Sequence, residues 1–396
     1  MFRLYLRGIG MMVGMIIGAG VFALPYAFAK AGIFWGIFHL FSAFVIIILL
    51  HQWYGEVAFY TKGRHRITGY AEIFLGKKAK FLAFLTTLGS YYGSLLVYGI
   101  LGGLFLTNIF NFFDGYALFV FSMTIFIIGG CLAFLNFGKI AEINFYLTLP
   151  IFGFIVYLLI IALPHLEAIN FLAPAKAFVN KDWFLPYGVW LFALAGFAAL
   201  PETRDLFFGA SVKKFKKVIW ASLLLAAVFY SVFIFAVLGV SGQLTTQDAL
   251  SGVADILGAK ALLIGSIIGF LAVFTSYVAL ATDLNNIFNY DYQFPFALGW
   301  ILVVAPPAVL FLVGIDGIVA LLGLIGTFGF GILGVFIIFM RRNMVKILKE
   351  GRQNGILEPS INGAKIKINP TLEWVVLAGI ISAVVYDIYK IISKAI

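Results

Sequence analysis

The chain has 396 residues, of which 63% are hydrophobic and 11% are charged, and its mean hydropathy is +1.07. A soluble fold of this size could not hydrate so much apolar surface, so the composition predicts an all-α polytopic membrane protein and excludes a soluble globular domain. The net charge of +10 is dispersed over loops and gives no indication of nucleic-acid binding. A single cysteine, Cys131, excludes an intramolecular disulfide and a cysteine-based metal site.

The first predicted span, residues 8–29, is interrupted by its own sequence. Its middle reads Gly14-Met15-Ile16-Ile17-Gly18-Ala19-Gly20, and Pro25 follows. Each interior Gly costs about 1 kcal/mol of helix propensity relative to Ala, and Pro lacks a backbone donor. A broken helix persists in lipid only where it lines a protein cavity. The segment therefore predicts a transport site built from half-helix N–H groups and carbonyls, with close helix packing as the alternative interpretation.

Eleven spans are predicted, most of them with the roughly 20 largely apolar residues that a bilayer requires. They lie near residues 8–29, 33–58, 81–110, 116–136, 143–163, 184–207, 218–240, 261–285, 293–313, 316–340 and 371–395. The first span carries no small-residue cleavage site and continues into the second, so it is not predicted to be a signal peptide.

Basic residues predict the orientation of these spans. With the N-terminus inside, 21 of the 27 Lys and Arg residues lie in segments that face the cytoplasm. This asymmetry predicts a cytoplasmic N-terminus and an external C-terminus. We therefore expect a multi-pass protein of a prokaryotic inner (cytoplasmic) membrane.

The sixth predicted span, which opens the second half of the chain, repeats the anomaly of the first. Gly188, Gly196 and Pro201 interrupt it. Five spans in each half is an odd number, so equivalent helices must cross in opposite directions, and paired interruptions of this kind are typical of transporter sites. The predicted organisation is residues 1–163 as a first inverted repeat (helices 1–5), 164–341 as a second (helices 6–10), 342–370 as a cytoplasmic loop and 371–396 as helix 11.

Polar groups in two other spans are candidates for a site. In the eighth span the Ala272 carbonyl and the Thr275 and Ser276 hydroxyls can converge on one point, and neutral oxygens suit a dehydrated monovalent cation. Alternatively, the hydroxyls bond back to carbonyls one turn earlier. Tyr91 and Tyr98 lie in the charge-free centre of the third span, where their hydroxyls need partners.

Ionisable residues within the predicted spans are scarce. Glu56, Glu202 and Arg204 lie at span ends, and we interpret Glu56 and Arg204 as charges that extend to the interface. The second span contains His51. The sequence has no HExxH, P-loop or metal-ligand cluster and no deep carboxylate pair, so it predicts no enzyme and no cofactor.

Four stretches resemble the amino acid/auxin permease family, within the amino acid–polyamine–organocation superfamily. They are Gly18-Ala19-Gly20-Val21-Phe22-Ala23-Leu24-Pro25-Tyr26-Ala27-Phe28, Tyr54-Gly55-Glu56-Val57-Ala58, Tyr98-Gly99-Ile100-Leu101-Gly102-Gly103, and Phe192-Ala193-Leu194-Ala195-Gly196-Phe197 running to Pro201-Glu202. The likeness extends over nearly the whole chain. It implies the five-plus-five inverted repeat of the leucine-transporter type with one extra C-terminal helix, and amino acids as substrates.

The resemblance also implies roles for individual residues. The Ala19 and Gly20 N–H groups would bind the substrate carboxylate, and carbonyls near Ile16, Phe192 and Ala193 would hold its ammonium. The candidate substrate site comprises Ile16, Gly18, Ala19, Gly20, Tyr91, Tyr98, Phe192, Ala193, Ala195 and Gly196. The sodium site of sodium-coupled superfamily members would comprise Gly14, Ile17, Ala272, Thr275 and Ser276.

These observations predict a secondary active symporter of neutral L-amino acids that is coupled to sodium. Proton coupling through Glu202 or His51 is the alternative within transport, and a gate is the other role predicted for these two residues. A non-transporting amino-acid-sensing receptor on the same fold is the alternative outside transport. A channel would need a polar stripe along a span, and none is evident. Beyond the amino acid and the bilayer, the sequence indicates no obligate protein partner.

Overall fold

The computed structural model describes residues 2–112, 114–133, 140–172, 181–207, 211–350, 355–358 and 366–395. Within these ranges the chain forms α-helices that we number in chain order: α1 Phe2–Ile16, α2 Gly20–Ala31, α3 Ile33–Tyr60, α4 Ile67–Leu75, α5 Lys77–Phe110, α6 Gly115–Ala133, α7 Ile140–Ala162, α8 Ala168–Leu172, α9 Leu185–Ala193, α10 Ala199–Leu206, α11 Val212–Ser241, α12 Ser251–Leu257, α13 Ala259–Asn286, α14 Phe296–Leu312, α15 Ile318–Leu324, α16 Ile332–Lys349 and α17 Pro370–Ala395.

The helices confirm a polytopic membrane protein. In the described part of the chain, seven helices are long and apolar enough to cross a bilayer, or eight if the bent pair α1–α2 counts as one span. Two shorter apolar helices, Leu149–His165 and Ala297–Leu312, lie where the fifth and ninth spans are predicted. The number of eleven spans and the inverted repeat stay predictions.

The first and sixth predicted spans are both broken. α1 ends at Ile16 and α2 begins at Gly20 with a bend of 54°, and α9 ends at Ala193 before α10 begins at Ala199. Breaks at Gly18 and Gly196 agree with the sequence-based prediction.

The prediction is wrong for Gly188, Pro201 and Pro25, which lie inside helices. Pro201 is in the first turn of α10, where a missing N–H costs little. Gly188 serves helix packing instead of a break, because a Cβ there would lie 2.3 Å from the Gly323 carbonyl oxygen. The backbone of α15 can approach α9 this closely only at glycine.

One end of the bundle, here termed the basic end, carries residues 61–80, 211–217 and 341–349. At this end the chain pairs Thr61 with Leu357 in an isolated antiparallel bridge. The Arg204 guanidinium lies against that pairing, 3.0 Å from the Thr61 carbonyl and 3.3 Å from a Glu358 carboxylate oxygen.

Glu56 and Arg204 do not extend to the interface as expected, since both are buried. Glu56 forms ion pairs with Lys216 of α11 and with Arg341 of α16. Buried charges must be paired because desolvation is costly, and these pairs join helices that are distant in sequence.

Candidate substrate and ion site

The two breaks lie directly against each other. A Cβ at Gly20 would lie 2.6 Å from the Ala193 Cα atom, so the start of α2 contacts the end of α9. Within the described ranges, the N–H groups of Gly18 and Ala19 before α2, and of Phe197 and Ala198 before α10, donate no hydrogen bond. N–H groups at a helix start carry partial positive charge and bind anions such as carboxylates.

A small cavity of about 30 Å³ adjoins both breaks. Its lining combines break residues with side chains of α5, α13 and the π-helical turn before α16: Met15, Ile16, Tyr91, Ser94, Tyr98, Phe192, Ala195, Gly196, Phe197, Ala198, Ser276, Leu280 and Phe330. None of these described residues is Asp, Glu, Lys, Arg or His. A cavity of this size has room for about two water molecules, so the helices must separate before an amino acid can enter.

The structure brings six of the ten candidate substrate residues to this cavity: Ile16, Tyr91, Tyr98, Phe192, Ala195 and Gly196. Gly18 lies beside it, because a Cβ there would meet the Ser276 Oγ atom at 2.9 Å and the Tyr98 hydroxyl at 3.3 Å. Ala19, Gly20 and Ala193 do not line the cavity. At Gly20 the side-chain direction faces α9, so this glycine permits helix packing in addition to any role of its N–H group.

The candidate sodium ligands also lie close together. The Ser276 hydroxyl is 3.4 Å from the Ile17 carbonyl oxygen, across the junction of α1 and α13. The Thr275 hydroxyl is 3.1 Å from the Ala272 carbonyl oxygen, which is the back-bonded geometry of a helix serine or threonine. Four of the five candidate oxygens, those of Ile17, Ala272, Thr275 and Ser276, thus already lie in two hydrogen-bonded pairs. Both sequence-based interpretations of the eighth span remain compatible with this arrangement.

His51 supports the second break from α3. Its Nδ1 atom lies 2.9 Å from the Ile47 carbonyl, and its Nε2 atom accepts the Gly196 N–H at 3.0 Å. These partners assign the neutral tautomer with the proton on Nδ1. The ring also stacks on Phe197, with centroids 4.2 Å apart, so His51 holds two residues of the break in place.

Ion pairs close the site toward the basic end. The Tyr91 hydroxyl donates to an Asp283 carboxylate oxygen at 2.7 Å, and Asp283 pairs with Arg66 at 2.8 Å. Arg66 also pairs with Glu202 of α10 at 3.1 Å. Burial alone would lower the pKa of the Arg66 guanidinium, but the Asp283 and Glu202 carboxylates raise it overall. We term Arg66, Tyr91, Glu202 and Asp283 the ion-pair gate, because it joins α5 and α13 to α10.

The family model described as transmembrane amino acid transporter protein matches residues 5–315. The chain belongs to this family of transmembrane amino acid transporters. This membership confirms the resemblance to amino acid permeases. The comparison with curated protein sequences finds no match.

Solved transporter structures share the fold of this amino acid transporter. MhsT in complex with L-phenylalanine has a TM-score of 0.73 at 14% identity, covering 96% of this chain and 98% of MhsT. Mhp1, a nucleobase-cation-symport-1 family transporter in a closed conformation with bromovinylhydantoin bound, has a TM-score of 0.66 at 12% identity, covering 98% of this chain and 91% of Mhp1. Identities this low establish a common fold alone.

The sequence-based reasoning missed Asp283 and Arg66 of the transporter's ion-pair gate. Asp283 lies inside the predicted span 261–285, where an ionisable residue indicates a functional site by default, so the signal was present. Arg66 gave no comparable signal, because it is one of six basic residues in the loop region 59–80. The prediction also missed six residues of the cavity lining, since apolar and small residues are common in every span: Met15, Ser94, Phe197, Ala198, Leu280 and Phe330.

A pair of glycine variants separates binding from packing at the first break. In Gly18→Ala the new Cβ displaces the Ser276 hydroxyl from Ile17, so we expect the affinity for substrate to fall about tenfold. In Gly20→Ala the Cβ meets the Ala193 backbone, so we expect a loss of stability of about 1–3 kcal/mol instead. Ligand binding and thermal unfolding of purified protein measure the two effects. Wild-type affinity in Gly18→Ala would remove this glycine from the site.

Proposed function

We propose that this protein is a secondary active transporter that couples the uptake of neutral L-amino acids to sodium. One observation carries the proposal: the break between α1 and α2 and the break between α9 and α10 adjoin the same cavity. N–H groups at the starts of α2 and α10, which donate to no partner among the described residues, suit the substrate carboxylate. Carbonyls at the ends of α1 and α9 suit its ammonium. An α-amino acid carries both groups on one carbon.

The cavity lining supports a neutral side chain. No acidic or basic residue lies among its described lining residues, so a charged side chain would lose its hydration without gaining an ionic partner. Tyr98, Phe192 and Phe330 form an aromatic wall: the Tyr98 and Phe192 ring centroids are 6.4 Å apart, and those of Phe192 and Phe330 are 5.9 Å apart. This wall favours large apolar or aromatic substrates.

Competition for binding tests this selectivity. We expect unlabelled phenylalanine, leucine and other neutral amino acids to displace a labelled neutral substrate, and lysine and glutamate to displace it at least about tenfold less well. The charged amino acids differ from the neutral ones chiefly in the side chain, so they are matched controls for the shared carboxylate and ammonium. Better displacement by lysine or glutamate than by every neutral amino acid would contradict the proposal.

Sodium is the proposed coupling ion, bound between α1 and α13. The Ser276 hydroxyl beside the Ile17 carbonyl, with Thr275 and Ala272 one turn around the helix, offers neutral oxygen ligands that do not titrate near neutral pH. One Na⁺ crossing about 100 mV supplies about 2.3 kcal/mol, which can concentrate substrate about fifty-fold. Gly14 completes the proposed ligand set.

Removal of the two hydroxyls tests the sodium site. We expect Thr275→Ala combined with Ser276→Ala to raise the half-saturating Na⁺ concentration about tenfold or more, because two of the five proposed ligands are lost. Thr282→Ala is a matched control, since its hydroxyl also bonds back within α13, to Val278 at 2.8 Å. An unchanged sodium dependence in the double variant, alongside normal uptake, would exclude these ligands.

We propose that the protein transports by alternating access, in which the spans of the five-plus-five inverted repeat move as two groups. Spans one, two, six and seven would move as a bundle against spans three, four, eight and nine. The ion-pair gate links α10 of the first group to α5 and α13 of the second. With the basic end in the cytoplasm, as the positive-inside rule predicts, separation of the gate would open the cavity to the cytoplasm.

Proton coupling is a second candidate, and one observation favours it. His51 accepts the Gly196 N–H directly, so a proton added at Nε2 would release that N–H and loosen the break. Glu202 is a member of the ion-pair gate with a partly exposed side chain. His51→Gln distinguishes the two ions, because it should abolish proton-driven uptake but leave sodium-driven uptake dependent on Na⁺.

A further inference from the structure

One side chain of α11 contacts both broken spans. The Tyr230 hydroxyl lies 2.8 Å from the Ile16 carbonyl oxygen and 3.0 Å from the Ala193 carbonyl oxygen. Ile16 is the last residue of α1, and Ala193 is the last residue of α9. A single hydroxyl therefore joins the C-terminal ends of the two half-helices.

The surroundings of Tyr230 fix the position of this hydroxyl. The side chain is fully buried, and its ring lies 6.2 Å from the Trp190 ring of α9, measured between centroids. Ile16 lines the cavity, whereas Tyr230 does not. Tyr230 thus reaches the two carbonyls from behind the site, on the side of α11.

The contact leaves the two carbonyls incompletely satisfied. A phenol carries one proton, so Tyr230 can donate to only one of the two oxygens at a time. Both oxygens also carry the partial negative charge of a helix C-terminus. A primary ammonium has a full positive charge and three N–H donors, and it can therefore bond to both oxygens at once.

We propose that Tyr230 is a positioning residue for the substrate ammonium, acting through the Ile16 and Ala193 carbonyls. Its hydroxyl holds the two oxygens at the spacing that a primary ammonium spans, and each oxygen keeps a second lone pair for that ammonium. The inference rests on the proposed function, and it adds a residue of the seventh span to an ammonium site otherwise built from backbone carbonyls of the first and sixth spans.

Tyr230→Phe removes the hydroxyl and keeps the ring. Tyr277→Phe is a matched control, because Tyr277 is equally buried and its hydroxyl donates at 3.2 Å to a backbone carbonyl outside the two breaks, that of Phe126 in α6. Two probes are compared by equilibrium binding at saturating NaCl: L-phenylalanine, and N,N-dimethyl-L-phenylalanine, which has one ammonium N–H and can bond to only one carbonyl. If uptake identifies a better neutral substrate, that amino acid and its dimethyl derivative replace them.

We expect the preference of the wild-type protein for the primary amine to fall about tenfold in Tyr230→Phe. The loss should come from weaker binding of the primary amine, because the dimethyl probe does not use both carbonyls. Tyr277→Phe should leave the preference unchanged, and transport by Tyr230→Phe should show a raised KM at similar maximal rate.

Other outcomes overturn the inference. An unchanged preference, or an equal loss of affinity for both probes, would mean that Tyr230 is structural only. If Tyr230→Phe yields no folded protein, 3,5-difluorotyrosine at position 230 keeps the hydroxyl but makes it a stronger donor, and an unchanged preference there overturns the inference as well. A wild-type protein that binds no neutral amino acid overturns the proposed function itself, a result distinguishable from either of these.

Discussion

Arg66→Ala is expected to reduce transport at least about a hundredfold, a factor that corresponds to about 2.8 kcal/mol, and to lower the free energy of unfolding by about 3–5 kcal/mol. Asp283 is buried, with 7% of its side chain exposed, and Arg66 is its cationic partner at 2.8 Å. Without Arg66 this carboxylate is left uncompensated in a dry setting, and the connection between α10 and α13 is lost. Uptake into proteoliposomes and thermal unfolding measure the two effects.

Arg64→Ala is the matched control for the ion-pair gate. Arg64 lies in the same loop and pairs with Asp205 at 3.1 Å, but 77% of its side chain is exposed, so its loss should cost no more than about 1 kcal/mol. Combining Arg66→Ala with Asp283→Asn removes both charges, so we expect stability to recover while transport stays impaired. Wild-type uptake in Arg66→Ala would show that the gate does not control access.

Arg341→Met is expected to lower the free energy of unfolding by about 3 kcal/mol. Its side chain is 5% exposed, and its guanidinium lies 2.5 Å from a Glu56 oxygen and 3.4 Å from a Glu373 oxygen. Glu56 retains Lys216 and Glu373 retains Arg342 after the change. The loss should therefore stay below the 5 kcal/mol or so that a fully stranded charge can cost.

The same change should weaken the attachment of α17, because Glu373 of α17 is completely buried against Arg341 and Arg342. Lys346→Met is the matched control: it removes a positive charge from the same helix at an exposed position, and we expect a change within about 0.5 kcal/mol. Thermal unfolding and protease cleavage of the loop before α17 are the measurements. Equal stability of the two variants would contradict the importance of the buried network.

The breaks and the apolar helices could be predicted because their causes are local. Gly18 and Gly196 sit where the helices stop, and propensity and hydropathy act over a few residues. The prediction of a break at Gly188 is wrong because the role of this glycine is not local. It permits the close approach of Gly323, which lies far along the chain. A glycine that breaks a helix and one that packs a helix are identical in a sequence.

The polar partners of the site could not be predicted for the same reason. His51 accepts the Gly196 N–H, Tyr230 reaches Ile16 and Ala193, and each contact joins segments that only the fold brings together. A buried Tyr in an apolar span predicts that its hydroxyl has a partner but does not say which one. The volume of the cavity depends likewise on how side chains from several helices pack together.

Accumulation of a radiolabelled neutral amino acid in proteoliposomes tests the central claim most directly. The purified protein is reconstituted with an inward Na⁺ gradient, with an inward proton gradient in choline medium, or with neither gradient. We predict accumulation above the external concentration with the Na⁺ gradient alone, and only weak dependence on pH between about 6 and 8. Accumulation driven equally well by protons in choline would contradict sodium coupling, and binding without uptake under every gradient would identify a sensing receptor instead of a transporter.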